Sequence, residues 1–159
     1  MSKKKYELAD LLKVRELRED SASKAVNQAQ EKLESCEAYL ERKKKQLEDY
    51  RLWRPGEEDR IFAKIMKKEV SQEKLSEVKA EVAILREKEL VIEKEQEEAE
   101  VAVKEAEEAL EQAKENHRKA MRELEKIKEH KIHWTEEEKK EAEFLADKEM
   151  EEFRKHRME

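Results

Sequence analysis

His130 and His133 stand three residues apart with Glu129 and Glu137 close by, and on a helix such a group can present metal ligands on one face. Two imidazoles on a solvated surface fall short of a ligand set, so the reading here is no metal. Cys36 is the single cysteine, which rules out an internal disulfide framework and leaves a small thiol that packs like an apolar residue. His117 lies in an otherwise apolar stripe, where a polar residue commonly fixes how helices pair. One glycine in 159 residues leaves no Gly-rich phosphate loop and no nucleophile elbow. Catalysis needs a partly dry, concave site that holds and tunes its groups. Nothing in this chain suggests one, so it reads as a non-enzyme with no cofactor.

A different cluster suggests contact rather than catalysis. The stretch "DYRLWRPGEEDRIF", residues 49–62, holds the only proline and the only glycine together with Tyr50, Trp53 and Phe62. Arg54, Glu57, Glu58 and Arg60 surround them. Trp, Tyr and Arg are the residues enriched at binding hot spots, so Tyr50, Trp53, Arg54, Glu57, Glu58 and Phe62 form a candidate docking patch. The plainer reading puts Tyr50 in a helix core, Trp53 beside it, and the charges in solvent. A second aromatic and basic group closes the chain: Phe144, Phe153, Arg154 and Arg157.

The elements that must position these residues follow from composition. Half of the chain is charged, 36% is hydrophobic, and Gly and Pro, which turns draw on, are almost absent. Such a mixture forms long helices or stays disordered. Basic and acidic residues, 37 and 43, are closely interspersed for a net charge of −6, which describes solvated helix faces. The runs Lys3–Lys5 and Arg42–Lys45 are diluted by Glu7, Glu41 and Glu48, so no nucleic-acid partner is expected. No apolar run approaches the ~18–20 residues needed to cross a bilayer, and "YELADLL" is no signal-peptide core. The expectation is a cytoplasmic chain without membrane insertion.

Periodicity decides between helix and disorder. Stepping by three and four from Leu75 to Trp134 gives eighteen positions, of which fourteen are apolar; only Glu89, Gln96, His117 and Lys131 are not. From Ala22 through Val26, Ala29, Leu33, Cys36, Leu40, Lys43 and Leu47 to Tyr50, eight of nine are apolar. Two heptad seams in one chain predict an all-α, antiparallel coiled-coil hairpin. Upstream, Arg15 and Glu19 interrupt the phase. Pairing Ala22 with Ala120, Leu33 with Leu110, Cys36 with Ala106 and Leu40 with Val103 matches small layers with small and large with large. That register centres the turn near Ser71, within residues 69–73. Ser71 can N-cap the second helix, and Val70 and Leu75 occupy the two positions of a hydrophobic staple. One hairpin is expected over residues 1–159, with arm one about 4–69 and arm two about 72–155, as a rod on the order of 100 Å long. Pro55-Gly56 then falls inside the first arm, where a kink or short break is expected. "WTEEE", Trp134–Glu138, has the form of a capping box, although an uninterrupted helix is the plainer expectation.

These residues also carry a family resemblance. "YRLWRPGEEDRIF", Tyr50–Phe62, is similar to the Tyr-x-Leu-Trp-Arg-x-x-Glu-Glu-x-Arg-x-Phe segment of the YscO family of bacterial type III secretion proteins. "EEFRKHR" near the end, "LLKVRELREDSASKAV" near the start and "ILREKE", Ile84–Glu89, resemble that family's corresponding runs. The resemblance spans essentially the whole chain. It implies a cytoplasmic hairpin like the flagellar protein FliJ, similar to the stalk of rotary ATPases and peripheral to the inner-membrane export apparatus. The partners it implies are the type III secretion ATPase, the cytoplasmic domain of the export gate, and translocator chaperones. With it, the partner-binding residues become Tyr50, Trp53, Arg54, Glu57, Glu58, Phe62, Phe153 and Arg154, on a chain expected to be a monomeric hairpin. The alternatives are a generic coiled-coil scaffold, which would be a dimer, and a holdase-like chaperone, which would need a large apolar patch at its tips.

Overall fold

The computed structural model describes residues 5–66 and 69–158. Two helices dominate it: α1, Ala9–Ala63, and α2, Gln72–Met158. They pack against each other antiparallel, as the two expected seams require. The chain divides into two compact units, one of Asn27–Glu111 and one of Met1–Val26 with Gln112–Glu159.

The expected stripe is the stripe that is covered. On α2, Val78, Val82, Ile92, Ala99, Ala106, Leu110 and Leu124 are buried. Leu85, Val103, Ala113, His117, Ala120, Ile127 and Trp134 are half-buried, and among the apolar positions only Leu75 is exposed. On α1, Leu33 and Leu47 are buried, and every other position from Ala22 to Tyr50 is half-buried. Ala99 and Ala106 retain only 3% of their surface, because a methyl side chain at the seam lets the opposing backbone come close.

In the Asn27–Glu111 unit, Lys43 meets Glu95, Arg51 meets Glu89 and Glu58 meets Arg86, so numbers rise on one helix as they fall on the other. Ile61, Val78 and Val82 form a buried cluster with Phe62, Ile65 and Leu85 against it. In the other unit, the Tyr6 ring lies 5.7 Å from His130 and 5.3 Å from Trp134, and its hydroxyl hydrogen-bonds His130 Nδ1. Arg15 pairs with Glu123, and His117 Nε2 lies 2.9 Å from a Glu19 carboxylate oxygen. Arg15 and Glu19 therefore continue the seam as polar members rather than breaking it. His117, the polar member of the α2 stripe, meets Glu19.

Two details refine the expected geometry. Ser71 is the N-cap: its hydroxyl accepts from the Lys74 backbone N–H at 3.2 Å, and its carbonyl accepts from Leu75 N–H at 3.2 Å. A cap closes a loop rather than centring it, so the reversal lies between Ala63 and Gln72. Residues 67 and 68 of that segment are outside the described set. Arg15 and Lys43 reach Glu123 and Glu95, about one turn short of the Ile127 and Ala99 that the expected register gives them, whereas Arg54 and Glu58 meet Glu89 and Arg86 within a residue of the expected register. The second detail is Pro55, which sits inside α1 without ending it. A full break does not occur. Likewise "WTEEE" caps nothing: α2 runs through it, and the Thr135 hydroxyl donates to the Lys131 carbonyl at 2.8 Å in the preceding turn.

Candidate functional site

The residues of the central motif separate into inward and outward sets. Tyr50 donates its hydroxyl to the Leu85 carbonyl at 2.5 Å, tying α1 to α2, and partial burial pushes its phenol pKa up. Its ring lies 5.6 Å from that of Trp53 at 49°. Arg54 donates to Glu58 at 2.7 Å, and its Nε lies 3.2 Å from a Glu89 oxygen as an ion-pair contact without hydrogen-bond geometry. Glu58, 9% exposed, also accepts from Arg86 at 3.1 Å. The Arg86 hydrogen bond, and then Arg54, hold its carboxyl below the usual carboxylate range. Arg51 adds contacts to Glu89 and Glu93 at 3.1 and 3.8 Å. This is an ion lattice between the helices. Each charge lies within reach of an opposite one, which is the condition for seating charges in a seam.

Glu57 faces Arg60 along α1, accepting at 2.5 and 3.1 Å, and this pairing raises the Arg60 pKa. Phe62 packs on the Ile61–Val78–Val82 cluster. Trp53 remains half exposed, at 50%, over a shallow groove of about 290 Å³ shared with Gln46, Asp49 and Tyr50. Leu52, which the sequence did not single out, is 77% exposed at the rim of a second groove of about 360 Å³ with Lys44, Leu47, Glu48, Arg51 and Gln96. Phe153 and Arg154 belong to the other unit, on an exposed part of α2; the Arg157 guanidinium lies 5.6 Å from the Phe153 ring. Thus the structure gathers Tyr50, Trp53, Arg54 and Glu58, turns Arg54 and Glu58 inward, and leaves Trp53 as the exposed aromatic of the motif.

Sequence reasoning missed Arg86 and Glu89 as members of this group. The available signal was Glu89 itself, a carboxylate on an apolar seam that needs a cation opposite. Among the described residues, no group of three or more His, Cys, Asp or Glu side chains is placed to hold a metal ion.

The Glu58 carboxyl gives a pH expectation. Its pKa is lower folded than unfolded, so its contribution is present above the ordinary carboxylate value and is lost as pH falls through the depressed folded value. Chemical unfolding of the wild type should therefore lose midpoint steeply below about pH 4, and a Glu58→Gln variant, weaker at pH 7, should show a flatter acid limb. Parallel acid limbs would show that Glu58 carries no such linkage.

The family model for the type III secretion protein YscO matches residues 8–156. The chain belongs to the YscO family. Among solved structures, type III secretion protein YscO from Vibrio parahaemolyticus is similar at 27% identity and a TM-score of 0.86, covering 92% of each chain. A putative YscO homologue from Chlamydia trachomatis, CT670, shares the fold at 22% identity and a TM-score of 0.73, covering 95% of this chain and 93% of its own. No curated protein matches. Membership makes this chain a type III secretion protein, and it points to protein partners within that apparatus. Among the described residues, no helix is long and apolar enough to cross a membrane.

Proposed function

We propose that this YscO-family chain is a cytoplasmic stalk or accessory component of a type III export apparatus that binds the export ATPase and the export gate and escorts translocator chaperones. The family match over residues 8–156 carries this reading. Two exposed aromatic sites support it: Trp53 in the unit containing the turn, and Phe153 with Arg154 in the unit containing the termini. Each unit presents dense mixed charge around a two-helix seam. Exposed ion pairs contribute only about 0–1 kcal/mol each, which suits contacts that form and release repeatedly. In this assignment Trp53 touches a partner directly, while Tyr50, Arg54 and Glu58 hold the helix that carries it. Glu57 lies one turn on from Trp53 on the same face of α1, while Phe62, packed on the Ile61–Val78–Val82 cluster, serves by holding the helices together.

The test is co-precipitation of purified Trp53→Ala and Phe153→Ala variants with the ATPase, the gate's cytoplasmic domain and the chaperones. Each variant should lose at least one partner by about tenfold in affinity, the scale of an aromatic hot spot. Both substitutions lie on exposed side chains, so the helical circular dichroism signal should not change. Full retention of every partner by both variants would remove these patches from the function.

A further inference from the structure

Beyond Trp134, α2 continues to Met158 with every residue from Lys139 onward exposed. That segment is not uniformly polar. At 100° per residue, Ala142, Leu145, Ala146, Met150 and Phe153 fall within one stripe about 140° wide. Leu145, Met150 and Phe153 are 52%, 60% and 64% exposed. Stepping by three or four from Trp134 through 138, 142, 145 and 149 reaches Phe153, so the stripe continues the same helix face that is covered at Leu124, Ile127 and Trp134. The geometry of a seam persists where the partner helix has ended.

Charge decides what can cover it. Residues 136–152 hold nine acidic and three basic side chains, a net of −6; Glu141, Glu143 and Glu152 border the stripe, and Glu149 falls within it between Leu145 and Ala142. A second copy would lay acid against acid along most of this length, with relief only at Arg154–Arg157, and like charges flanking a helical interface select against such pairing. We propose that this exposed segment of α2 is a docking face for a basic amphipathic helix of another protein, whose apolar side extends the seam and whose Lys and Arg residues meet the acidic borders. Recognition is helix on helix, with heptad anchors set between oppositely charged flanks. This deepens the reading of the terminal patch above and rests on it only for the identity of the partner.

The probe is a labelled synthetic helix of about three heptads, with Leu at the seam positions and Lys or Arg beside them. A scrambled peptide of the same composition serves as control, and both are titrated against the full chain by fluorescence anisotropy. The patterned peptide should bind at least about tenfold more tightly than the scrambled one, and added salt should weaken it. A Leu145→Asp/Phe153→Asp variant should lose that tenfold while keeping its helicity, since both residues are exposed. Equal binding of the two peptides, or unchanged binding by the variant, would overturn the proposal. So would a doubled mass in sedimentation that the variant abolishes, because a second copy would then own the face. If the variant loses the patterned peptide but keeps every secretion partner, the docking chemistry stands and the terminal-patch reading falls. Loss of those partners with retention of the peptide would instead overturn the docking chemistry and leave the terminal-patch reading in place.

Discussion

A Pro55→Ala variant should be more stable than the wild type by about 3 kcal/mol, the difference between proline and alanine in a helix interior. Pro55 lies well inside α1, eight residues before its end at Ala63, and has no N–H to give the Arg51 carbonyl one turn back. Its ring also crowds that carbonyl. Alanine removes both penalties at a position exposed to solvent, where no packing is lost. The neighbouring Gly56 is similarly free, since a Cβ there would meet nothing within 4 Å. Adding Gly56→Ala should contribute roughly a further 0.5–1 kcal/mol. Urea unfolding followed by circular dichroism measures both. A midpoint that does not rise for Pro55→Ala would mean that α1 is already relaxed around the proline. If the stabilised variant also binds its partners less well, the proline serves a binding-competent shape, an instance of stability traded against function.

The largest loss is expected from Val82→Asp. Val82 is 6% exposed and packs with Ile61 and Val78, supported by Phe62, Ile65 and Leu85. Aspartate forfeits most of a buried valine's transfer energy and places a carboxylate among aliphatic groups. Together these should cost on the order of 3–5 kcal/mol. Because this cluster adjoins the reversal, hydrogen-exchange protection should fall first around residues 57–63 and 75–86, within the Asn27–Glu111 unit. Val82→Ala, which only shortens the side chain, should cost about 1–2 kcal/mol and separates lost packing from buried charge. A destabilisation under about 1 kcal/mol for the aspartate would show that the cluster does not hold the helices together there.

The fold class, both covered stripes and the Ser71 cap were legible in the sequence. Heptad spacing and a capping serine act within one or two turns, and Leu33, Leu47, Val78 and Leu124 are buried wherever the partner helix lies. The central aromatic motif was legible too, as a cluster of unusual residues. What each of its members faces was not. Arg54 and Glu58 look in sequence like any other charges on a solvated helix, and only the neighbouring Arg86 and Glu89 of α2 turn them into a partly buried lattice. Arg15 and Glu19 looked like interruptions until Glu123 and His117 supplied their partners. Pro55 should by local propensity have broken α1, yet cross-helix contacts on both sides of it, Tyr50 to Leu85 and Glu58 to Arg86, keep the helix running. Local periodicity determined which faces meet, because an apolar side chain needs only to leave water. Tertiary structure decided which charges pair across the helices, because such an ion pair depends on a specific partner that the sequence places dozens of residues away.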